Sequence, residues 1–264
     1  MSQKIKKIIN KKNVSKIVSL TAYSKNIAKI LDKHVDIILV GDSMANVLYG
    51  HKNTHRITLE NIIQHTLSVK MGVKKSLLVV DMPKGSYNNF QSAKKNAILI
   101  MNTTKCDAIK IESNKKNYKI IESLVKKNIP VMGHVGYTPQ FKKKFKIEGQ
   151  TRLEMSKLLK EAELIQKAGA FCIVLECLSP SAAKLITSRL SIPTIGIGSS
   201  AHCDGQILVT DDMLGLSGFY PKFVKKYAKL DRTIEKAIKR YTRAVKLKKF
   251  PTINNYLNGT KRRK

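Results

Sequence analysis

Eight short runs of β-branched and other apolar residues, spread along the whole chain, constrain its fold more than any other feature. They are Ile17–Tyr23, Ile37–Asp42, Leu77–Asp81, Ala108–Glu112, Pro130–His134, Phe171–Glu176, Pro193–Gly198 and Ile207–Asp211. Within each run apolar residues follow one another instead of alternating with polar ones, the pattern of strands covered on both faces. Helix-like stretches separate most of them, such as Leu59–Val73 and Met155–Ala168, the latter stopped by Gly169 as a C-terminal cap. Strand and helix in alternation, eight times over, predict an α/β fold: a (β/α)8 TIM barrel forming one domain over residues 1–264. A doubly wound open sheet is the alternative, but the GxGxxG turn expected after its first strand is absent. Residues 1–13, with Ile5, Ile8 and Ile9, read as an extra amphipathic helix placed to close the bottom of the barrel. Residues 246–264 read as a basic C-terminal tail whose end, Lys261–Lys264, is solvated and frayed.

The charge balance points elsewhere at first sight. Fifty Lys and Arg against 18 Asp and Glu give a formal net charge of +32, which taken alone suggests a polyanionic partner or an anionic membrane. The excess is even, +16 in residues 1–132 and +16 in 133–264, whereas a nucleic-acid footprint gathers on one face or arm. Lysine supplies 42 of the 50 cations and arginine, the better bidentate reader of bases and phosphates, only eight. There is no Trp and no aromatic-rich RNA motif, so no specific nucleic acid is expected. No apolar run approaches the roughly 20 residues that cross a bilayer, so no membrane is expected either. The first twenty residues lack the apolar core of a secretory signal. Cys106, Cys172, Cys177 and Cys203 form no CxxC pair and no zinc spacing, and a reducing cytoplasm is the expected compartment.

In a barrel of this kind the chemistry sits where strands end. The ends of the runs carry Asp42 and Ser43, Asp81, Lys110 and Glu112, His134, and Glu176. A helix cap or a loop hydrogen bond accounts for one such residue; it does not readily account for four carboxylates in a chain with only 18. Three hard carboxylate oxygens suit Mg²⁺, which leaves positions for water or substrate, and the fourth carboxylate is then available as a general base. On residue types alone this reads as metal-assisted chemistry on an anionic substrate. The GIG at Gly196–Gly198 offers backbone N–H groups to an anion or, more simply, tight strand packing. His51 and His55 read as surface or structural residues, and Met44 and Met71 as packing.

At these segments the chain resembles the ketopantoate hydroxymethyltransferase (3-methyl-2-oxobutanoate hydroxymethyltransferase) family. The motifs are TAYS at 21–24, VGDSMANVLYGHKNT at 40–54, VVDMP at 79–83, IKIE at 109–112 and GHVGYTPQ at 133–140. VLEC at 174–177, PTIGIG at 193–198, DGQILV at 204–209 and YPKF at 220–223 follow in family order, covering roughly residues 15–245. The resemblance implies a barrel shared with Mg²⁺-dependent enolate-forming lyases and mutases. It implies that Asp42, Asp81 and Glu112 hold Mg²⁺, directly or through water, and that Asp42, Ser43, Asp81 and Lys110 contact the 2-oxo acid. Glu176 would be the catalytic base and His134 a supporting contact.

The implied reaction moves a one-carbon unit from the co-substrate 5,10-methylenetetrahydrofolate onto 3-methyl-2-oxobutanoate through an Mg²⁺-stabilised enolate, giving 2-dehydropantoate for pantothenate and coenzyme A synthesis. A ring-based homodecamer is implied as well. The chain departs from the family pattern at Lys84 after DMP, in place of an aromatic residue, at Ala45 and Ser200, in place of glycines, and in a shortened, lysine-rich 140–149 loop; the loop and Lys84 bear on the folate side. That loop keeps open a barrel enzyme acting on a different 2-oxo acid. A non-catalytic nucleic-acid binder is the remaining alternative, and the strand-end carboxylates, which repel phosphate, argue against it.

Overall fold

The computed structural model describes residues 1–113, 117–142, 144–218 and 220–256. Eight parallel strands close into a barrel in sequence order: β1 (Ile17–Thr21), β2 (Ile37–Val40), β3 (Leu77–Asp81), β4 (Ala108–Lys110), β5 (Val131–Gly136), β6 (Cys172–Glu176), β7 (Thr194–Ile197) and β8 (Gly205–Leu208). The connecting helices include α1 (Gln3–Ile9) before the barrel, then α2 (Lys25–Leu31), α3 (Met44–Val47), α4 (Leu59–Lys70), α5 (Phe90–Thr104) and α6 (Tyr118–Val125). They continue with α7 (Arg152–Lys167), α8 (Pro180–Arg189), α9 (Thr210–Leu214) and α10 (Leu230–Lys246). The expected (β/α)8 barrel with its N-terminal helix is therefore present, and the open-sheet alternative falls because β1 pairs with β8.

The near-continuous apolar runs divide by parity, because successive strand side chains point to opposite faces. Ile38, Val40, Leu78, Val80, Ile109 and Ile173 belong to the apolar layer under the helices. Their neighbours Ile37, Leu39, Leu77, Val79, Ala108 and Val174 form a second cluster inside the barrel. Ile5 and Ile8 of α1, 0% and 2% exposed, join that interior cluster, so α1 closes the apolar end as its spacing predicts. Lys4 fastens the plug, with its ammonium 2.8 Å from the Ser76 carbonyl and 3.3 Å from Asp107.

Several boundaries differ from the sequence expectation. The eighth strand begins at Gly205 rather than Ile207, and Thr210–Leu214 is helical rather than extended. Closure is the reason: a Cβ at position 205 would lie 2.5 Å from the Ile17 carbonyl oxygen, so only glycine lets β8 pair with β1 there. Thr210 is then held by Thr21, whose carbonyl accepts its hydroxyl and whose Oγ1 accepts its N–H. β2 stops at Val40 and β4 at Lys110, leaving Asp42 and Glu112 in the turns just beyond, while β5 continues past His134 to Gly136. Gly169 follows the cap residue Ala168 of α7 with φ +92°. Met44 is fully buried as expected, but Met71, capping α4, is 64% exposed and fills no core position.

The four cysteines are free and buried. Among the described residues, no helix is long and apolar enough to cross a membrane. The basic tail expected from residue 246 starts where α10 ends, and Lys261–Lys264 lie outside the described residues. α10 itself buries none of its residues and leaves Ile234, Ile238, Tyr241 and Val245 exposed along one stripe.

Shortening the plug tests this arrangement. Ile5→Ala is expected to destabilise the chain by about 2–5 kcal/mol, the cost of an unfilled core cavity. Urea unfolding showing less than about 1 kcal/mol would mean that α1 does not complete the interior.

Candidate active site

The inward columns that are apolar at one end of the barrel become ionisable at the other. Leu77 and Val79 lead to Asp81, Ala108 to Lys110 and then Glu112, Met132 to His134, and Cys172 and Val174 to Glu176. A strand forces this placement, since residues two apart share a face. Asp42 and Ser43 reach the same end from the turn after β2. The sequence-predicted residues are thus brought together, and all except Ser43 and Glu176 are fully buried.

Lys110 is the central cation. Its ammonium lies 2.8 Å from Asp81 Oδ1, with both side chains no more than 6% exposed. Asp81 Oδ2 accepts the backbone N–H of Asp42 at 3.1 Å, so one carboxylate joins β4 to the turn after β2. Asp42 Oδ2 in turn accepts from the Gln140 side-chain amide at 2.9 Å. Glu112 Oε2 accepts the Gln140 backbone N–H at 3.0 Å. Ser43 shares a 2.8 Å hydrogen bond with the Tyr23 hydroxyl.

Burial dominates the electrostatics. It pushes the Asp42 carboxyl up to about 7, the Asp81 charge adding to the rise and Lys110 and Gln140 opposing it. It holds Glu112 well above the ordinary range, with Asp42 adding to the effect and Lys110 opposing it. Glu176 also rises to about 7 through burial, against the pull of Lys110. Burial alone would lower Lys110, but Asp81, Glu112 and Asp42 outweigh it and keep the ammonium charged.

His134 takes the opposite course, since burial and Lys110 hold its imidazole well below its usual value. A neutral ring makes no ion pair, so its approaches to Glu176 at 3.3 Å and Glu112 at 3.6 Å are contacts between a neutral donor–acceptor and two acids. Neither ring nitrogen has a hydrogen-bond partner among the described residues. Two unsatisfied polar atoms on a fully buried ring mark a place where a polar ligand group would be bound without further desolvation cost.

The same site fits a hard divalent cation. A dication at Asp42, Asp81 and Glu112 would offset the burial that disfavours the charged forms of Asp42 and Glu112. Among the described residues no three His, Cys, Asp or Glu side chains converge into a ready-made metal cage. Carboxylate oxygens are the hard donors that Mg²⁺ takes, with water and ligand oxygens filling the rest of its octahedron. Glu176 is set apart by exposure: its side chain is 20% accessible against 3% for Asp81 and 1% for Glu112, so it faces the mouth.

Strand-end reasoning overlooked Gln140 and Tyr87. Both are buried, and the Tyr87 hydroxyl donates to Gln140 Oε1. Gln140 ends the GHVGYTPQ motif and Tyr87 follows VVDMP by four residues, so the motif itself was the available signal. The two histidines called structural behave so: His51 stacks on Tyr49, and His55 Nε2 lies 3.0 Å from the Pro139 carbonyl. At the GIG, a Cβ on Gly196 would meet Cys203 and Gln206 at 3.0–3.1 Å, in keeping with tight packing. In the 140–149 loop, Lys142 binds the Gly136 carbonyl and Glu148, and Lys143 lies outside the described residues.

Comparison with known proteins places these features in context. The ketopantoate hydroxymethyltransferase family profile matches residues 2–253. The 3-methyl-2-oxobutanoate hydroxymethyltransferase of Pelagibacter ubique (strain HTCC1062) is 51% identical over 252 residues, 96% of this chain and 98% of that protein. That of Anaplasma marginale (strain St. Maries) is 48% identical over 244 residues, 91% of this chain and 88% of that protein. Among solved structures, phosphonopyruvate hydrolase is similar with a TM-score of 0.62 at 11% identity, covering 98% of this chain and 92% of that one. A 2,3-dimethylmalate lyase of the PEP mutase/isocitrate lyase superfamily gives 0.60 at 13%, covering 98% and 93%. Those two structures share the barrel fold.

Removing the central cation tests the electrostatic picture. Lys110→Met is expected to destabilise the metal-free protein at pH 8 by about 3–5 kcal/mol, the cost of stranding a buried partner. The carboxylates it held down have raised native pKa values, so they favour the folded state when protonated and oppose it as pH rises through about 7. The penalty is therefore expected to shrink at pH 5, and an equal loss at both pH values by chemical denaturation would contradict this account.

Proposed function

The chain belongs to the ketopantoate hydroxymethyltransferase family, and we propose that its barrel mouth carries out that family's reaction with Glu176 as the base. The enzyme transfers a one-carbon unit to C3 of 3-methyl-2-oxobutanoate, giving 2-dehydropantoate for pantothenate and coenzyme A synthesis. The co-substrate in this reading is 5,10-methylenetetrahydrofolate, and one water is consumed as methylene becomes hydroxymethyl.

Asp42, Asp81 and Glu112 would hold Mg²⁺, which supplies a Lewis acid that polarises the 2-oxo group and acidifies the C3–H bond. Lys110, fixed by Asp81, adds a permanent positive charge where negative charge grows on the keto oxygen. Ser43 and Asp42 line the substrate side from the turn after β2, with the Ser43 hydroxyl oriented by Tyr23. Glu176 removes the C3 proton, and the electron pair left behind forms the C–C bond to the one-carbon unit. Both C–N bonds that held this carbon to folate break, the two nitrogens end protonated as tetrahydrofolate, and the water supplies the oxygen of the new hydroxyl. A carboxylate with a pKa near 7 is stronger as a base than an ordinary glutamate and still ionised in part at neutral pH. Neutral His134, 3.3 Å from Glu176, is held well below its usual basicity and so does not compete for the proton.

The observation that carries this reading is Glu176 itself: the most accessible acid in a buried carboxylate cluster, its pKa raised by burial. The free, buried cysteines are in keeping with a reducing cytoplasm. Self-association, up to the homodecamer that the family resemblance implies, is supported by the uncovered apolar stripe of α10.

Glu176→Gln keeps the side-chain volume and removes the base. It is expected to lower kcat for 2-dehydropantoate formation, assayed with Mg²⁺ and 5,10-methylenetetrahydrofolate, by about 10²–10⁴-fold while unfolding is unchanged. Turnover within a few-fold of wild type would take Glu176 out of that role.

A further inference from the structure

Gln140 hydrogen-bonds to both Asp42 and Glu112, through different atoms. Its backbone N–H donates to Glu112 Oε2 at 3.0 Å. Its side-chain amide nitrogen donates to Asp42 Oδ2 at 2.9 Å and to the Met82 carbonyl at 3.0 Å. A primary amide has two N–H donors, and both are used on acceptors. The Tyr87 hydroxyl donates to the amide oxygen, and a flipped amide would set that oxygen against two acceptors, Asp42 Oδ2 and the Met82 carbonyl, losing both N–H donations. The orientation is thereby forced. Gln140 is fully buried, and its own position is set from the other side by His55, whose ring lies 3.0 Å from the Pro139 carbonyl. Gly136, with φ +98° and no room for a Cβ beside the Glu176 carbonyl, starts the turn that brings residue 140 back over the strand ends.

We propose that Gln140, oriented by Tyr87, is the positioning residue that presents Asp42 and Glu112 to the divalent cation. The role rests on the Mg²⁺ reading given above. One residue donating to an oxygen of each carboxyl group fixes their separation before the cation arrives. Outer hydrogen-bond partners of this type tune metal affinity by orienting the ligands rather than by touching the metal.

The test is Mg²⁺ binding to the substrate-free enzyme, followed by calorimetry, together with the Mg²⁺ dependence of turnover. Gln140→Ala is expected to weaken Mg²⁺ by about 10–100-fold and to recover most of kcat at saturating Mg²⁺. Tyr87→Phe keeps the ring and removes only the orienting hydroxyl, and should shift Mg²⁺ affinity in the same direction by a smaller factor. It also serves if Gln140→Ala does not fold. Wild-type Mg²⁺ affinity in a folded variant of either kind would overturn the positioning role while leaving the metal reading intact. A loss of kcat that no amount of Mg²⁺ restores would also overturn it, because the residue would then act on something other than metal binding. Wild-type protein that binds no Mg²⁺ would overturn both.

Discussion

The Lys110–Asp81 pair is the contact on which the candidate site depends. Four carboxyl groups gather at the mouth of the barrel, and burial pushes the pKa values of Asp42, Glu112 and Glu176 up. A charged ammonium among them, 2.8 Å from one and pulling down the pKa of the others, makes a partly ionised cluster tolerable. Neighbouring donors extend the effect: the Asp42 N–H secures Asp81, and Gln140 secures Asp42 and Glu112. The outcome is a cluster of carboxyl groups held in a fixed shape around one ammonium.

The barrel supplies that shape through strand geometry. The inward columns of β3, β4, β5 and β6 are apolar where α1 closes the interior and ionisable where the loops begin, and the change occurs within two residues. Apolar packing below fixes the backbone that carries the charges above, so the cost of gathering them is spread over the whole interior. Glu176 differs from its companions by facing the mouth, and the neutral His134 beside it leaves that carboxylate as the group best placed to accept a proton.

Much of this was legible in the sequence. Continuous rather than alternating apolar runs implied strands covered on both sides, and eight of them implied closure. The acids stood out because they interrupt apolar runs in a chain where lysine is abundant and acid scarce. What escaped was whatever depends on closure in three dimensions. Ile207, Leu208 and Val209 looked like the heart of the last strand, but Gly205 begins it because only a residue without Cβ fits against Ile17. Gln140 and Tyr87 escaped because neither ends a strand; their importance lies in contacts 53 and 98 residues away in sequence. Met71 looked like core and is exposed, because apolar character at a helix end does not say which way the side chain faces. The +32 charge, conspicuous at the start, is spread evenly along the sequence, and in the proposed reading the chemistry rests on the few acids.

The central claim is that proton removal from the 2-oxo acid needs only the carboxylate cluster, its cation and Glu176, independent of folate. Proton NMR of 3-methyl-2-oxobutanoate in D₂O, with enzyme and Mg²⁺ but no folate, tests this directly. The account predicts enzyme-dependent loss of the C3 proton signal that stops when Mg²⁺ is chelated and is absent with Glu176→Gln. Exchange at an undiminished rate in that variant, or none with the wild-type enzyme, would contradict it.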